Sequence, residues 1–152
     1  MSGYGPADQF TYAYDGSIEV PMGSLMFHDT NDAKPALSAA DAGTYAQNKA
    51  AFAPLFAGVA VEAKAATSPA GTIQVAADGV YEFDCTSDTF EVGDFVAPAD
   101  VGPGVGLNNT VLTKTSTANE RIGYVVKREA SAVTRVRVRL ISRVTPNFFA
   151  LA

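Results

Sequence analysis

The chain has 152 residues, 47% of them hydrophobic, with a net charge of −5 and a single cysteine. Length and apolar content suit one domain with a real core, although alanine supplies much of the apolar count and the bulk comes from six Tyr and nine Phe. The acidity argues against nucleic acid as the main ligand, because neutralising phosphates needs a basic surface, and the lone Cys85 excludes an intrachain disulfide or a multi-cysteine metal site.

Residues 1–23 read as an extended N-terminal arm, punctuated by Gly3, Gly5, Pro6, Gly16, Pro21 and Gly23. No basic segment followed by an apolar run opens it, so no secretory signal is expected. Within it Phe10, Tyr12 and Tyr14 alternate with Thr11 and Ala13, the pattern of a strand with one aromatic face. Leaving such a face in water costs about 1.5–3 kcal/mol per large side chain. It must therefore cover its own domain or a neighbour.

Residues 24–28 suggest a short strand, and Asp29-Thr30-Asn31-Asp32 is turn chemistry. His28 is the one histidine. A lone His beside acids in a turn is usually solvated, and without a second histidine a multi-His metal centre is excluded. A helix is expected from Thr44, an N-cap residue, through Gln47, Lys49 and Phe52, ended or kinked by Pro54. A strand follows at 57–62. The longest apolar stretch, around 50–61, is broken by Pro54 and Gly58 and is too short to span a bilayer, so no membrane partner is expected.

Residues 72–77 and 80–85 are the next strands, with Asp78-Gly79 between them. Asp-Gly invites a two-residue hairpin, but that loop would set Val75 beside Glu82. One more loop residue pairs Val75 with Phe83, Ala77 with Tyr81 and Ile73 with Cys85, all apolar, so a hairpin here needs an odd loop and a bulge. On that face Cys85 is a buried, inert thiol. Asp84, Asp88, Glu91 and Asp94 lie close in sequence. Calcium binding or glycoside hydrolysis could use such carboxylates, but the EF-hand pattern is missing. A solvated rim, or an acidic partner for the cations of a neighbouring subunit, fits better.

Residues 93–96 start another strand, and 98–109 reads as a Gly/Pro-rich surface loop. Its Gly102-Pro103-Gly104-Val105-Gly106 lacks the spacing and the lysine of a phosphate loop. Strands at 110–114, 121–127 and 133–143 finish the sheet. In the last, Arg135, Arg137 and Arg139 line one face while Val136, Val138 and Leu140 line the other. Residues 146–152 form an apolar tail whose Phe148 and Phe149 tuck into the domain or sit in a neighbour.

The charges are split along the chain. Residues 1–100 hold 14 acids and 3 bases, −11, and residues 101–152 hold 2 acids and 8 bases, +6. The split suggests self-complementary assembly or a partner of opposite sign, or else a cationic strand face answered by acids of its own fold. No catalytic constellation accompanies it. A serine triad would have to use His28, and no nucleophile-elbow sequence is present. Neither an enzyme nor a cofactor is expected.

A family pattern emerges from the order of these elements. Phe52-Ala53-Pro54-Leu55-Phe56-Ala57-Gly58-Val59-Ala60 is followed by Thr72-Ile73-Gln74-Val75 and Gly79-Val80-Tyr81-Glu82-Phe83. Then come Gly93-Asp94-Phe95-Val96, Ile122-Gly123-Tyr124-Val125 and Val136-Arg137-Val138-Arg139-Leu140. Over roughly residues 50–142 this resembles the capsid decoration (cement) proteins of tailed bacteriophages, and more distantly the lambda-type head-decoration protein. The resemblance implies a domain that trimerises on the outer capsid surface at threefold or quasi-threefold sites, clamping capsomers of the major capsid protein. It implies assembly in the host cytoplasm and supplies no catalytic residues.

The fold expected is mainly β, a compact small β-barrel or sandwich of β-tulip-like form, with one short helix and an extended N-terminal arm. Its parts are the arm 1–23, a β-rich domain 24–145 and the tail 146–152. The expected interface residues are Phe10, Tyr12, Tyr14, Arg135, Arg137, Arg139, Phe148 and Phe149, facing sister subunits or capsid. The alternatives are another virion β-protein (tail-tube, head–tail joining or fibre component) and a carbohydrate-binding β-module, which the absence of tryptophan weakens.

Overall fold

The computed structural model describes residues 9–102 and 105–143. The strands are β1 (Gln9–Tyr14), β2 (Leu25–Asp29), β3 (Asp32–Pro35), β4 (Phe56–Ala60), β5 (Gly71–Ala76), β6 (Val80–Phe90), β7 (Phe95–Gly102), β8 (Gly106–Thr115), β9 (Gly123–Val125) and β10 (Glu129–Leu140). The helix is α1 (Tyr45–Phe52). The strands build two bodies: a five-stranded sheet in the order β1-β5-β4-β2-β3, and a closed barrel in the order β10-β6-β8-β7-β9. The mainly-β class, the barrel and the single short helix are as the sequence predicts.

The main core fills the barrel and extends under α1. Val136, Val138 and Leu140 of β10 point inward with Phe83 and Cys85 of β6, while the intervening residues face out. Leu25 and Phe27 of β2 join this core with Phe52 and Phe56. Met26, between them, points to the opposite face and into a second core with Tyr14, Val20, Ile73 and Val75. Burial on both faces explains why β2 reads as an unbroken apolar run rather than an alternating one.

Helix α1 starts where its cap dictates. The Thr44 hydroxyl accepts from the Gln47 N–H, and the Gln47 side chain accepts from the Thr44 N–H, a complete capping box. One turn later Lys49 reaches the barrel and pairs with the buried Glu120 at 2.8 Å, and Glu120 also accepts from Thr115. Tyr45 donates to the carbonyl of Pro98 on β7. The helix is thus tied to the barrel by polar contacts as well as by Phe52. Pro54 ends it through a short 3-10 turn at Ala53–Leu55.

Three expectations are corrected. The strands on either side of Asp78-Gly79 do not pair: β5 lies between β1 and β4, and β6 lies between β10 and β8. Gly79, at φ +116, carries the chain out of the sheet and into the barrel. The face assignment holds, since Ile73, Val75, Ala77, Phe83 and Cys85 are all buried, but the partners differ. Residues 98–109 are not a surface loop, because β7 and β8 run through them as an antiparallel hairpin. Pro98 is tolerated there beside a register shift, and Gly102 pairs with Gly106 near the turn. The strand expected at 121–127 shrinks to β9, whose Gly123 lies so close to β10 that a Cβ would meet the Arg139 carbonyl oxygen at 2.6 Å.

Candidate interaction surface

The outer face of β6 and β10 is a charge ladder. Antiparallel register sets Arg135 opposite Asp84, Arg137 opposite Glu82 and Arg139 opposite Val80. Arg135 lies 3.4 Å from Glu82 and 3.5 Å from Asp84, and Arg139 lies 3.3 Å from Asp78. A bulge just before Arg135 makes this possible. Val133 and Val136 both turn toward the core, so Thr134 and Arg135 must face out together. The charge split along the sequence is therefore answered, in good part, inside the fold.

These pairs are exposed, and such pairs contribute roughly 0–1 kcal/mol each. They align the strands while leaving the arginines free to exchange partners at little cost. Arg137 makes no ion pair among the described residues and stands exposed at the centre of the ladder.

The acids of 84–94 are engaged in the same way. Asp88 lies 3.2 Å and Asp94 4.0 Å from Lys114, and Glu91 takes the Arg128 guanidinium on both oxygens. They spread along one side of the barrel, each facing a cation of its own chain. Among the described residues no group of three or more His, Cys, Asp or Glu side chains is placed to hold a metal ion.

The aromatic strand β1 is part of the sheet, paired in register with β5 so that Phe10 faces Val75 and Tyr12 faces Ile73. Its three rings meet different fates. Phe10 is 41% exposed. Tyr12 is half-buried and meets the His28 ring edge-on at 6.2 Å; burial raises its hydroxyl above the usual phenol range. Tyr14 is 3% exposed in the second core, and its hydroxyl donates to the Ile18 carbonyl. Phe148, Phe149 and the first eight residues lie outside the described residues.

Sequence reasoning missed other exposed apolar side chains. Met22 is 66% exposed, Val92 65% and Val105 53%. The signal was present: each sits next to a glycine in a turn, where no strand periodicity could bury it. Cys85 is buried as expected, its thiol 3.7 Å from the Val133 carbonyl and pushed up by burial and then by the negative charge of Asp84, Asp88 and Glu129. The surface as a whole offers charge, exposed apolar residues and no assembled reaction centre among the described residues.

Residues 28–140, well over half of the chain, match the family model for the phage cement protein. No curated protein matches the chain significantly.

Proposed function

This chain belongs to the phage cement protein family, and on that premise we propose that it binds the outer capsid surface as a homotrimer at threefold or quasi-threefold sites and stabilises the shell. Membership carries a structural, capsid-binding role and a place on the virion. The trimer, the threefold sites, the major capsid protein as direct partner and assembly in the host cytoplasm are our reading.

The observation that carries it is the character of the β6–β10 face. Arginine and aromatic side chains are the usual anchors of protein interfaces, and here Arg135, Arg137 and Arg139 stand exposed on a rigid barrel wall. The wall's own ion pairs are weak enough to be traded for contacts with another chain. Phe10 and Tyr12 supply an apolar edge elsewhere on the domain, and Phe148 and Phe149 would supply another. A stable interface usually buries about 1,200–2,000 Å². A ring of three subunits, each also touching the shell, reaches that area by using several such patches.

The test is the solution mass of the protein, alone and after mixing with undecorated capsids. A trimer, or a monomer that saturates capsids in hundreds of copies, is expected. A protein that stays monomeric and does not cosediment with capsids would overturn the proposal.

A further inference from the structure

The two edge strands of the five-stranded sheet, β1 and β3, return beside each other. No backbone ladder joins them among the described residues; side chains span the seam instead. Asp15 lies one residue beyond β1, Asp32 opens β3, Lys34 follows on β3, and Asp29 ends β2. The Lys34 amine bonds to Asp29 and sits 3.6 Å from Asp15. Asp32 is 3% exposed, and its Oδ1 is buried with no hydrogen-bond partner among the described residues. Asp15 and Asp32 face this seam together, and each carboxyl acts on the other's hold on a proton. A proton held by one of them would let the two carboxyls bond and would relieve their repulsion. With all three acids ionised around one amine, the cluster would also hold a surplus of two negative charges in a partly dry place.

We propose that Asp15 and Asp32 form a proton-dependent clasp that closes the seam between β1 and β3, holding the N-terminal strand fast in acid and loosening it when the shared proton leaves. The asymmetry of burial says which carboxyl holds the proton. Desolvation first, then Asp15, push Asp32 up to about 6, while Asp32 lowers exposed Asp15. The sign follows. A carboxyl raised in the folded state stabilises it fully below the ordinary carboxylate range, and that contribution is lost as pH rises through about 6. Lys34 opposes the loss from β3, and Asp29 favours it from β2. His28, also on β2, touches the seam through Tyr12.

The clasp therefore sets how firmly β1 itself is held to the domain. On its other side β1 is held by its ladder with β5, so the clasp governs only the edge that faces β3.

Hydrogen exchange on the full chain tests this. After correction for intrinsic rates, opening of the β1 amides should rise about tenfold or more from pH 5 to 7.5, with a ceiling of roughly a hundredfold for a shift of two pH units. The β10 amides should not follow. Asp32→Asn places a permanent donor where the proton was and should flatten the profile, and Asp15→Asn, which leaves Asp32 buried, should shrink it. His28→Gln should leave it intact. Carbon-13 titration of the wild-type carboxyls needs no variant and should show one aspartate stepping near pH 6. A flat wild-type exchange profile, a profile that survives both Asn variants or vanishes in His28→Gln, or carboxyls that all step near 4 would overturn the proposal.

Discussion

Gly58 is the position where one methyl group should do the most damage. It sits in β4 between β2 and β5, in a strand buried along its whole length, with φ +136. A Cβ there would stand 2.1 Å from the Ala76 carbonyl oxygen and 2.7 Å from its carbon. Those are backbone atoms of a paired strand and cannot swing away as a side-chain tip would. Two costs add. An L-residue at this φ loses about 1–3 kcal/mol, and overpacking a closed interior costs about 1–3 kcal/mol more. Gly58→Ala should therefore destabilise the fold by roughly 2–6 kcal/mol, lowering Tm by about 5–20 °C for a chain of this length.

Gly23→Ala is the matched control. Gly23 also has a positive φ, +85, but nothing lies within 4 Å of its would-be Cβ. It should lose only the conformational part. Thermal and urea unfolding followed by circular dichroism would measure both. If Gly58→Ala were no more destabilised than Gly23→Ala, the close approach of β4 and β5 would be wrong.

Removing one partner of the buried Lys49–Glu120 pair strands a charge, so Lys49→Met should cost about 3–5 kcal/mol in urea unfolding, while the double variant with Glu120→Met should recover much of it. Glu120 is held below the usual carboxylate range because its bonds from Lys49 and Thr115 outweigh desolvation, so the stability it contributes is present at neutral pH and lost as pH falls; acid unfolding of Glu120→Gln should show a shallower decline. Cys85 should react with a thiol reagent at pH 8 about a hundredfold more slowly in the native protein than in urea, since burial both shields the thiol and raises it. Arg135→Ala, Arg137→Ala and Arg139→Ala should each change stability by less than about 1 kcal/mol while weakening capsid binding, as titration of labelled protein onto capsids would show.

Local chemistry was legible in the sequence, and long-range pairing was not. Thr44 and Gln47 mark the start of α1 because a capping box is a contact between near neighbours. The alternation in residues 135–140 shows the inward face of β10 because the period of a strand needs no knowledge of its partner. Parity likewise assigned the buried sides of residues 73–85 correctly and their partner wrongly. It says which face a strand buries, whereas the neighbour of β6 is chosen by β10, which arrives some fifty residues later. Pro98 and the glycines after it suggested a loop because proline removes a ladder donor, yet a bulged hairpin absorbs that loss. For the interaction surface, alternation alone exposed the arginine ladder. Whether its charges are answered within the chain or by another chain depends on tertiary register, and composition carries no register.

Cryo-electron microscopy of capsids with and without bound protein would show where on the virion the protein sits. Added density is expected on the outer surface at threefold and quasi-threefold positions, three subunits to each, repeated over the whole shell. Density confined to one vertex, or none after saturation with the protein, would contradict it.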